Sequence, residues 1–400
     1  MSFAITVVSI LPFNFYIWSM HLPNKHSASG TTIFTVMSAL AQKHGAINLS
    51  QGFPDFHIDE QLSRFLGEAA SLGFNQYAPM PGLPVLREAI AKDFMSRYAI
   101  EVNADTEITV TPGATYGIYT AFTSVLQQGD EAILLEPAYD SYIPNIEMNG
   151  ARAVPISLTA PDFKVDWEKV RNAVNAKTKA LILNTPHNPT GAIWSKADWD
   201  ELADIVRDTE IVILSDEVYE QLIFDNEKHY SVLMHPELRK RSFALFSFGK
   251  VFNNTGWKIG YCIAPGELTI AFRRIHQFLS FTVNTPAQYA LAHHLSSGRA
   301  AKVGALMEGK RNYFLNLMKK TPFTIHNATK GSYFQVAGYE QISDMPDMEF
   351  AHWLTTEHGV ATIPVSAFYH DRKDDKLIRF CFAKKEDTID QAIAKLSALK

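Results

Sequence analysis

From about residue 107 onward, short apolar runs alternate with stretches whose apolar residues recur at helical spacing. The runs are rich in β-branched residues and have the length of strands, whereas the stretches between them indicate amphipathic helices. The predicted strands are 107–111, 132–135, 180–183, 211–214, 243–247 and 259–263, and the predicted helices include 116–126, 198–209 and 268–279. This alternation is typical of an α/β fold with a mostly parallel sheet covered on both faces.

The pattern changes after Gly298. A long helical stretch over 300–319 is followed by a strand-like run over 332–336, a helix around 348–358, a strand over 377–382 and a terminal helix. This order predicts a smaller α+β domain. We therefore predict a large domain over 61–295 and a small domain over 296–400, which the segment 21–60 joins.

Residues 2–20 carry no charge and are mostly apolar. A membrane segment or a signal sequence is one interpretation, but no positive residues precede the run, and Pro12, Asn14 and Ser19 interrupt it. We interpret 1–20 as an extension outside the fold, with Met20 as a second suitable start. Membrane association is the minority interpretation.

Composition narrows the classes of function. Of the 400 residues, 46% are hydrophobic and 20% are charged, as in ordinary soluble globular proteins. The net charge of −5 gives no basic stripe for nucleic acid and no polybasic patch for a membrane surface. The two cysteines, Cys262 and Cys381, have no CxxC neighbour, which argues against a metal site or a disulfide framework. We expect a reduced, cytoplasmic compartment.

Candidate chemistry follows the predicted strands, because ligands of open α/β sheets bind at the carboxyl ends of strands. Gly113 opens a turn into a helix whose free N–H groups suit a phosphate. Tyr139 either stacks on a flat ligand or packs in the core, and Asn188 either forms its turn or donates to a ligand oxygen. Asp216 ends an apolar strand and needs a partner. His187 or an arginine is the structural candidate, and a ligand pyridinium is the functional one.

Lys250 has the most unusual setting of the lysines. It follows a predicted strand, and no other charged residue lies between Arg241 and Lys258. Partial desolvation favours the neutral amine of such a lysine. A neutral amine is a nucleophile that forms a Schiff base with an aldehyde.

These motifs occur in one order, from the glycine turn through Asn-Pro-Thr-Gly and Asp-x-x-Tyr to Ser-x-x-Lys and Gly-Trp-Lys-x-Gly-Tyr. From about Gly30 to Lys400 the chain resembles the fold-type I pyridoxal-phosphate enzymes, specifically the class I aminotransferases. Within that group it is most similar to the methionine and kynurenine (glutamine-type) aminotransferases. Segments 47–56, 76–82, 283–288 and 378–384 carry this closer likeness. The resemblance implies a seven-stranded, mostly parallel sheet in the large domain.

The resemblance also implies roles for matching residues. Lys250 would hold pyridoxal 5′-phosphate and shuttle a proton, and Asp216 would pair with the pyridine nitrogen. Tyr219 and Asn188 would bond the ring oxygen, and Tyr139 would stack on the ring. The residues implied for the phosphate are Gly113, Ala114, Thr115, Ser247, Lys258 and, from the neighbouring subunit, Tyr77. The implied partner is therefore a second copy of the chain, in a homodimer with active sites at the subunit interface.

Arg379 lies in a predicted apolar strand, where a lone guanidinium is costly without an anion. By resemblance it would bind the substrate α-carboxylate, with Gly52 and Asn188 assisting, since an arginine fork matches a carboxylate. An inter-domain salt bridge is the structural alternative. Many relatives have an arginine where Lys258 stands, and lysine keeps the charge without the bidentate grip.

Substrate choice is less constrained by the sequence. No second arginine stands in an obvious place for a dicarboxylate side chain. The aromatic residues Phe34, Tyr77, Tyr139 and Phe281 suit an apolar or thioether side chain, although such residues are commonly part of a core.

The predicted function is ping-pong transamination between an L-amino acid and a 2-oxo acid. The expected donors are methionine, glutamine, aromatic or kynurenine-like amino acids. A C–S or β-lyase on the same fold is the first alternative, because it would use the same residues. A non-enzymatic cofactor-binding regulator is the second, but it would need a DNA-binding domain upstream.

Overall fold

The computed structural model describes residues 31–298 and 302–399. The predicted extension 1–20, and the part of the predicted segment 21–60 before residue 31, lie outside the described residues. The strands, in chain order, are β1 (Ile47–Asn48), β2 (Ile108–Thr111), β3 (Glu131–Glu136), β4 (Arg152–Ser157), β5 (Thr178–Asn184), β6 (Val212–Asp216), β7 (Ser242–Ser247), β8 (Gly260–Ile263), β9 (Phe334–Gly338), β10 (Val360–Ala361), β11 (Ile363–Pro364) and β12 (Leu377–Cys381). The sheets and the site are described below with these strand labels.

Helices separate most of these strands. They are α1 (Ile33–His44), α2 (Glu60–Ser71), α3 (Pro84–Tyr98), α4 (Ala114–Val125), α5 (Tyr142–Glu147), α6 (Trp167–Ala173), α7 (Lys196–Val206), α8 (Pro236–Arg239), α9 (Phe248–Val251), α10 (Gly266–Leu279), α11 (Thr285–Ser296), α12 (Val303–Met318), α13 (Asp347–Thr356) and α14 (Glu386–Leu396). Residues at the first turn of several of these helices explain why the helices start where they do. Ser195 and Asp198, for example, form a capping box at the start of α7.

The large sheet has seven strands in the order β2-β8-β7-β6-β5-β3-β4. Its strands β7, β6, β5, β3 and β4 run parallel, and β8 is antiparallel to both of its neighbours. The predicted mostly parallel seven-stranded sheet is confirmed. Within this large sheet, the one strand that the apolar pattern did not predict is β4. It is an edge strand that is only partly buried and contains Pro155.

Successive residues of the central strands point to opposite faces of the sheet, and each face packs into its own core. In β5, Leu181 and Leu183 join the core beneath α2, α3 and α11, whereas Ala180 and Ile182 join the core beneath α4. Because helices cover both faces of the sheet, the residues of its central strands are buried on both sides, and each of these strands is a continuous apolar run in the sequence. The sheet is therefore a rigid base for side chains at its carboxyl edge.

A smaller antiparallel sheet, in the order β11-β12-β9, packs with α12, α13 and α14 around a separate core. Strand β1 pairs in parallel with β10, so the chain near residue 47 joins this C-terminal part. That pairing agrees with the expected role of 21–60, while the boundaries 61–295 and 296–400 stay predictions. Cys262 and Cys381 are both buried and free. Over 31–298 and 302–399, none of the helices is long and apolar enough to cross a membrane.

Candidate functional site

A cavity of about 390 Å³ lies at the carboxyl edge of the large sheet. Most of the residues predicted from sequence line it: Gly52, Gly113, Ala114, Thr115, Tyr139, Asn188, Asp216, Tyr219, Ser247, Lys250, Lys258 and Arg379. Tyr77 is not among them, and 82% of its surface is exposed. One chain thus brings together every predicted site residue except the one that was expected to reach a neighbouring subunit.

Lys250 lies on the short helix α9, directly after β7. Its Nζ donates a hydrogen bond of 3.3 Å to the Gly52 carbonyl. Burial, together with the nearby Arg379 charge, lowers the pKa of Lys250 to about 8. A larger share of this amine than of an ordinary lysine is therefore neutral near neutral pH, and that share can act as a nucleophile and base, as the apolar sequence around it indicated.

Asp216 ends β6, and its carboxylate faces the same cavity. The Tyr142 hydroxyl donates to Asp216 Oδ2 at 2.6 Å, and the Val218 amide donates to Oδ1 at 3.3 Å. Burial raises the pKa of Asp216 to about 6, while these hydrogen bonds and Lys250 act in the opposite direction. Among the described residues, the hydrogen-bond partners of the Asp216 carboxylate are Tyr142 and Val218 and include neither His187 nor an arginine. The His187 Nδ1 lies 2.7 Å from Thr190 Oγ1 instead.

The turn after β5 is held by its own asparagine side chains. Asn184 Nδ2 donates to the Asp216 carbonyl at 2.7 Å, and Asn184 Oδ1 accepts from the Asn188 amide at 2.7 Å. Asn188 is thereby fixed with its side chain at the cavity. Its Oδ1 accepts from Arg379 Nη1 at 2.7 Å, so its amide nitrogen is the donor that remains for a ligand.

Arg379 is fully buried in β12. Its Nη2 donates to the Ser50 carbonyl at 2.7 Å, and its Cζ lies 3.9 Å from the centre of the Phe334 ring. Nε is buried without a hydrogen-bond partner among the described residues, and none of their ion pairs includes Arg379. Burial lowers the pKa of Arg379 to about 10. The alternative of an inter-domain salt bridge is therefore wrong for the described chain.

The start of α4 and Lys258 form an anion site. Gly113 caps the helix with φ of 83°, and a Cβ there would lie 3.4 Å from Lys258 Nζ. The ammonium of Lys258 therefore sits at the positive end of a 12-residue helix. Lys258 is itself exposed, while Ser247 and Thr115 line the cavity beside it. A phosphate fits this combination of free N–H groups and positive charge.

Two tyrosines form the wall beside Lys250. The rings of Tyr219 and Tyr333 meet edge to face at 5.1 Å, and Lys250 Nζ lies about 6 Å from each ring centre. The Tyr333 hydroxyl donates to the Gly52 carbonyl at 2.6 Å. A Cβ at Gly52 would come within 2.7 Å of the Phe334 ring, so a larger residue here would require that buried ring to shift. Burial raises the pKa of Tyr219, which therefore donates as a neutral phenol.

Sequence reasoning missed the contacts that Tyr142 and Tyr333 make in the site. Tyr142 follows Tyr139 by three residues, so the turn that places one ring over the cavity also aims the other hydroxyl at Asp216. That spacing was the signal available in the sequence. Nothing local marked Tyr333, because its partner Gly52 lies 281 positions away.

Comparison with known proteins identifies the family of the chain. The family model for aminotransferase class I and II matches residues 44–396. The chain belongs to this family. It is 46% identical to a methionine aminotransferase of Escherichia coli (strain K12) over 372 residues, 92% of this chain and 96% of that protein. A crystal structure of an Escherichia coli methionine aminotransferase superposes with a TM-score of 0.93 at 45% identity, covering 95% of this chain and 100% of that one.

Relatives that are named for other substrates match this chain over most of its length. A probable N-succinyldiaminopimelate aminotransferase of Mycobacterium tuberculosis is 38% identical over 92% of this chain and 96% of its own length. Kynurenine–oxoglutarate transaminase 3 of Homo sapiens is 32% identical over 90% of this chain and 87% of its own. The protein is an aminotransferase, as predicted. These relatives are all named as aminotransferases or transaminases, which supports transamination over the lyase alternative.

Proposed function

We propose that this aminotransferase binds pyridoxal 5′-phosphate in the cavity and transfers the amino group of methionine, or of a similar apolar or aromatic L-amino acid, to a 2-oxo acid. The observation that carries the proposal is the convergence of three groups on one cavity: the Lys250 amine, the Asp216 carboxylate and the anion site formed by α4 and Lys258. These are the groups that an aldehyde, a pyridine nitrogen and a phosphate require.

The residues present fit the cofactor. The start of α4, Ser247 and Lys258 would hold the phosphate, and Asp216 would face the ring nitrogen. Tyr219 and Asn188 would donate to the ring hydroxyl oxygen, with Tyr139 against the ring face. When bound, the cofactor withdraws electrons from the substrate Cα so that its proton becomes acidic.

The chain's own residues supply the proton transfer. Lys250 Nζ, with a pKa of about 8, is basic enough to take the proton from the substrate Cα and acidic enough to return it. The Gly52 carbonyl orients this amine, and Tyr333 fixes that carbonyl in turn. Tyr142 keeps Asp216 in its charged form by a charge-assisted hydrogen bond of 2.6 Å.

The substrate would bind between Arg379 and an aromatic wall. Arg379 has N–H groups that Asn188 and Ser50 do not use, and these are suited to an α-carboxylate. Phe34 and Phe334 flank the guanidinium and leave an apolar surface for the substrate side chain. The likeness to a methionine aminotransferase supports a thioether or aromatic side chain there.

We propose further that the enzyme is a homodimer, located in the cytoplasm. Tyr77 and Phe281 meet edge to face at 5.8 Å, and both are exposed, as is Phe278 with 85% of its surface accessible. Exposed aromatic clusters of this kind mark protein–protein interfaces. A second subunit bound at this cluster would bring Tyr77 of one subunit toward the phosphate-binding side of the other subunit's cavity.

Absorbance and steady-state kinetics test the proposal. The purified enzyme is expected to be yellow and to give ping-pong kinetics with methionine and a 2-oxo acid. Lys250→Ala should lose both the visible absorbance and nearly all turnover, whereas the exposed Lys240→Ala should keep both. Consumption of the oxo acid distinguishes transamination from a lyase, which would release ammonia and thiol. Normal turnover of Lys250→Ala would refute the proposal.

A further inference from the structure

The short turn after β6 carries polar side chains of two kinds. Asp216 and Tyr219 line the cavity, whereas Glu217 and Glu220 are buried but do not line it. The Glu220 amide donates to the Glu217 carbonyl at 3.0 Å, so residues 217–220 form one tight turn. Two groups that the proposed cofactor would use therefore share this turn with two carboxylates that it would not use.

Glu217 is fully buried and is surrounded by hydrogen-bond donors. Its Oε1 accepts from Ser215 Oγ and from the Val232 amide, each at 2.9 Å. Its Oε2 lies 2.7 Å from His229 Nε2. Three donors suit a carboxylate, which only accepts hydrogen bonds. Since Ser215 directly precedes Asp216, the Glu217 carboxylate ties the end of β6 to the segment that contains His229 and Val232.

Glu220 ties the other end of the turn to α3. Its Oε2 accepts from Arg97 Nη1 at 2.9 Å and from the Tyr98 hydroxyl at 3.3 Å. Arg97 is held in turn by Asp93, whose Oδ2 accepts from Arg97 Nε at 2.8 Å. The turn is thus anchored at both ends to parts of the chain that do not line the cavity.

The positions of the Asp216 carboxylate and the Tyr219 hydroxyl depend on the backbone of this turn. A displacement of about 1 Å in a positioned group can lower a rate about a hundredfold, so the anchors of the turn affect the chemistry of the cavity. The charge of Glu217 is not the useful property for Asp216, because it adds to burial in raising the pKa of Asp216 and so opposes the charged form. The hydrogen bonds of Glu217 are the property that remains.

We propose that Glu217 is a positioning residue whose three hydrogen bonds fix the turn that presents Asp216 and Tyr219 to pyridoxal 5′-phosphate. The inference rests on the proposed function, because it takes Asp216 as the partner of the ring nitrogen. Glu217 touches neither cofactor nor substrate and acts through the turn. Loss of its hydrogen bonds should therefore weaken cofactor binding and turnover together, while substrate binding at Arg379 stays unchanged.

Two substitutions separate the geometry of Glu217 from its charge. Glu217→Gln keeps the length of the side chain and loses the charge. Its oxygen can accept from Ser215 and Val232, and its amide can donate to the other tautomer of His229. Glu217→Asp keeps the charge but is one methylene shorter, so it cannot reach all three donors. The exposed Glu210→Gln, which lies before the start of β6, is the matched control.

The holoenzymes are dialysed against graded concentrations of pyridoxal 5′-phosphate to obtain its Kd, and kcat and KM are measured with methionine. In Glu217→Asp the Kd should rise and kcat should fall by at least about tenfold each, because a buried hydrogen bond to a charged group is lost. KM for methionine should stay within about threefold of the wild-type value, since Arg379 is not bonded to this turn. In Glu217→Gln and Glu210→Gln, Kd and kcat should stay within about threefold of the wild-type values.

Wild-type Kd and kcat in Glu217→Asp would overturn the inference, and a lowered melting temperature alongside them would make Glu217 a structural residue. An equal loss in Glu217→Gln and Glu217→Asp would also overturn it, because the charge would then be the cause. If Glu217→Asp does not fold, Ser215→Ala takes its place, since it removes one of the three bonds. Ser215→Ala should raise the Kd at least about threefold, and an unchanged Kd would overturn the inference.

The wild-type measurements separate the two proposals. A wild-type enzyme that binds no pyridoxal 5′-phosphate contradicts the proposed function. A wild-type enzyme that binds it and turns over methionine, with the same Kd and kcat in Glu217→Asp, retains the proposed function and loses the role of Glu217.

Discussion

Replacing Arg379 by alanine is the sharpest test of how substrate binds. The guanidinium is fully buried, stacked at 3.9 Å on Phe334 and bonded to Asn188 and Ser50. Those two bonds fix the plane of the fork, so the unused N–H groups present a fixed edge to the cavity. A carboxylate docked on that edge would accept two parallel charge-assisted bonds.

The expected loss follows from the energy of those bonds. A hydrogen bond to a charged group contributes about 1.5–3 kcal/mol, so two contribute about 3–6 kcal/mol. At about 1.4 kcal/mol per decade, kcat/KM should fall by about 10² to 10⁴ for every amino acid and oxo acid. KM should rise by at least about tenfold. Arg379→Lys should recover little, because an ammonium cannot reproduce the fork.

Stability and cofactor binding separate this role from a structural one. Arg379→Ala also leaves the Asn188 and Ser50 oxygens without their partner, so the melting temperature should fall. The visible absorbance should persist, because Arg379 is assigned to substrate. The exposed Arg207→Ala is the matched control and should keep wild-type kinetics. A lowered melting temperature together with unchanged kcat/KM would refute the assignment and make Arg379 a structural tether.

The remaining predictions concern the cofactor side. Asp216→Asn should lower kcat by orders of magnitude with the fold intact, since a neutral amide cannot stabilise a protonated ring nitrogen; a loss of only a few-fold would mark Asp216 as structural. Tyr142→Phe removes one hydrogen bond to a charged group, so kcat should fall about tenfold or more with little change in KM; an unchanged kcat would contradict its role. The rate at which cofactor-free enzyme takes up pyridoxal 5′-phosphate should rise with pH up to about 8 and then level off, because the pKa of Lys250 is about 8 and the neutral amine reacts. A rate that keeps rising toward pH 10.5, the ordinary lysine value, would contradict the lowered pKa.

The same lowered pKa links Lys250 to stability. Below pH 8 the amine is charged in both the folded and the unfolded chain, and burial of that charge opposes folding. Between about pH 8 and 10.5 the unfolded chain binds more protons, so the contribution of Lys250 to stability rises with pH. Lys250→Met should remove this dependence, which denaturant titrations of the cofactor-free protein at several pH values can measure.

Much of the fold was predictable because the central strands are buried on both faces. Strands such as β5 and β6 have an uninterrupted apolar run that ends in a polar residue, and both features can be read from the chain. Strand β4 escaped prediction because an edge strand is half-covered, and Arg152 and Pro155 break its apolar run. The pairing of β1 with β10 joins residues more than three hundred positions apart. The pattern of apolar and polar residues within one segment cannot predict contacts between segments so far apart.

The residues of the site likewise fall into those that the sequence predicted and those that it did not. Asp216 and Lys250 each follow a recognisable strand, so their convergence at one edge follows from the direction of parallel strands. Tyr333 contacts a residue that is distant in sequence, and Tyr142 reaches Asp216 from a turn whose direction the sequence does not show. The resemblance to a known family located the residues that bind or react, while the hydrogen bonds that orient them required the structure.

Burial shifts the pKa values of the charged groups in this cavity, and the same physical effect shifts those of bases and acids in opposite directions. Removal from water disfavours charge, so it lowers the pKa of Lys250 to about 8 and raises that of Asp216 to about 6. Both pKa values thereby lie within about one unit of pH 7, so that Lys250 can take and return a proton near neutral pH while most of Asp216 stays charged. Tyr142 and Arg379 then adjust the balance: the first favours the carboxylate of Asp216, and the second favours the neutral amine of Lys250. Because Arg379 acts on Lys250 through its charge, neutralisation of Arg379 by a bound carboxylate should raise the basicity of Lys250 at the moment when a base is needed.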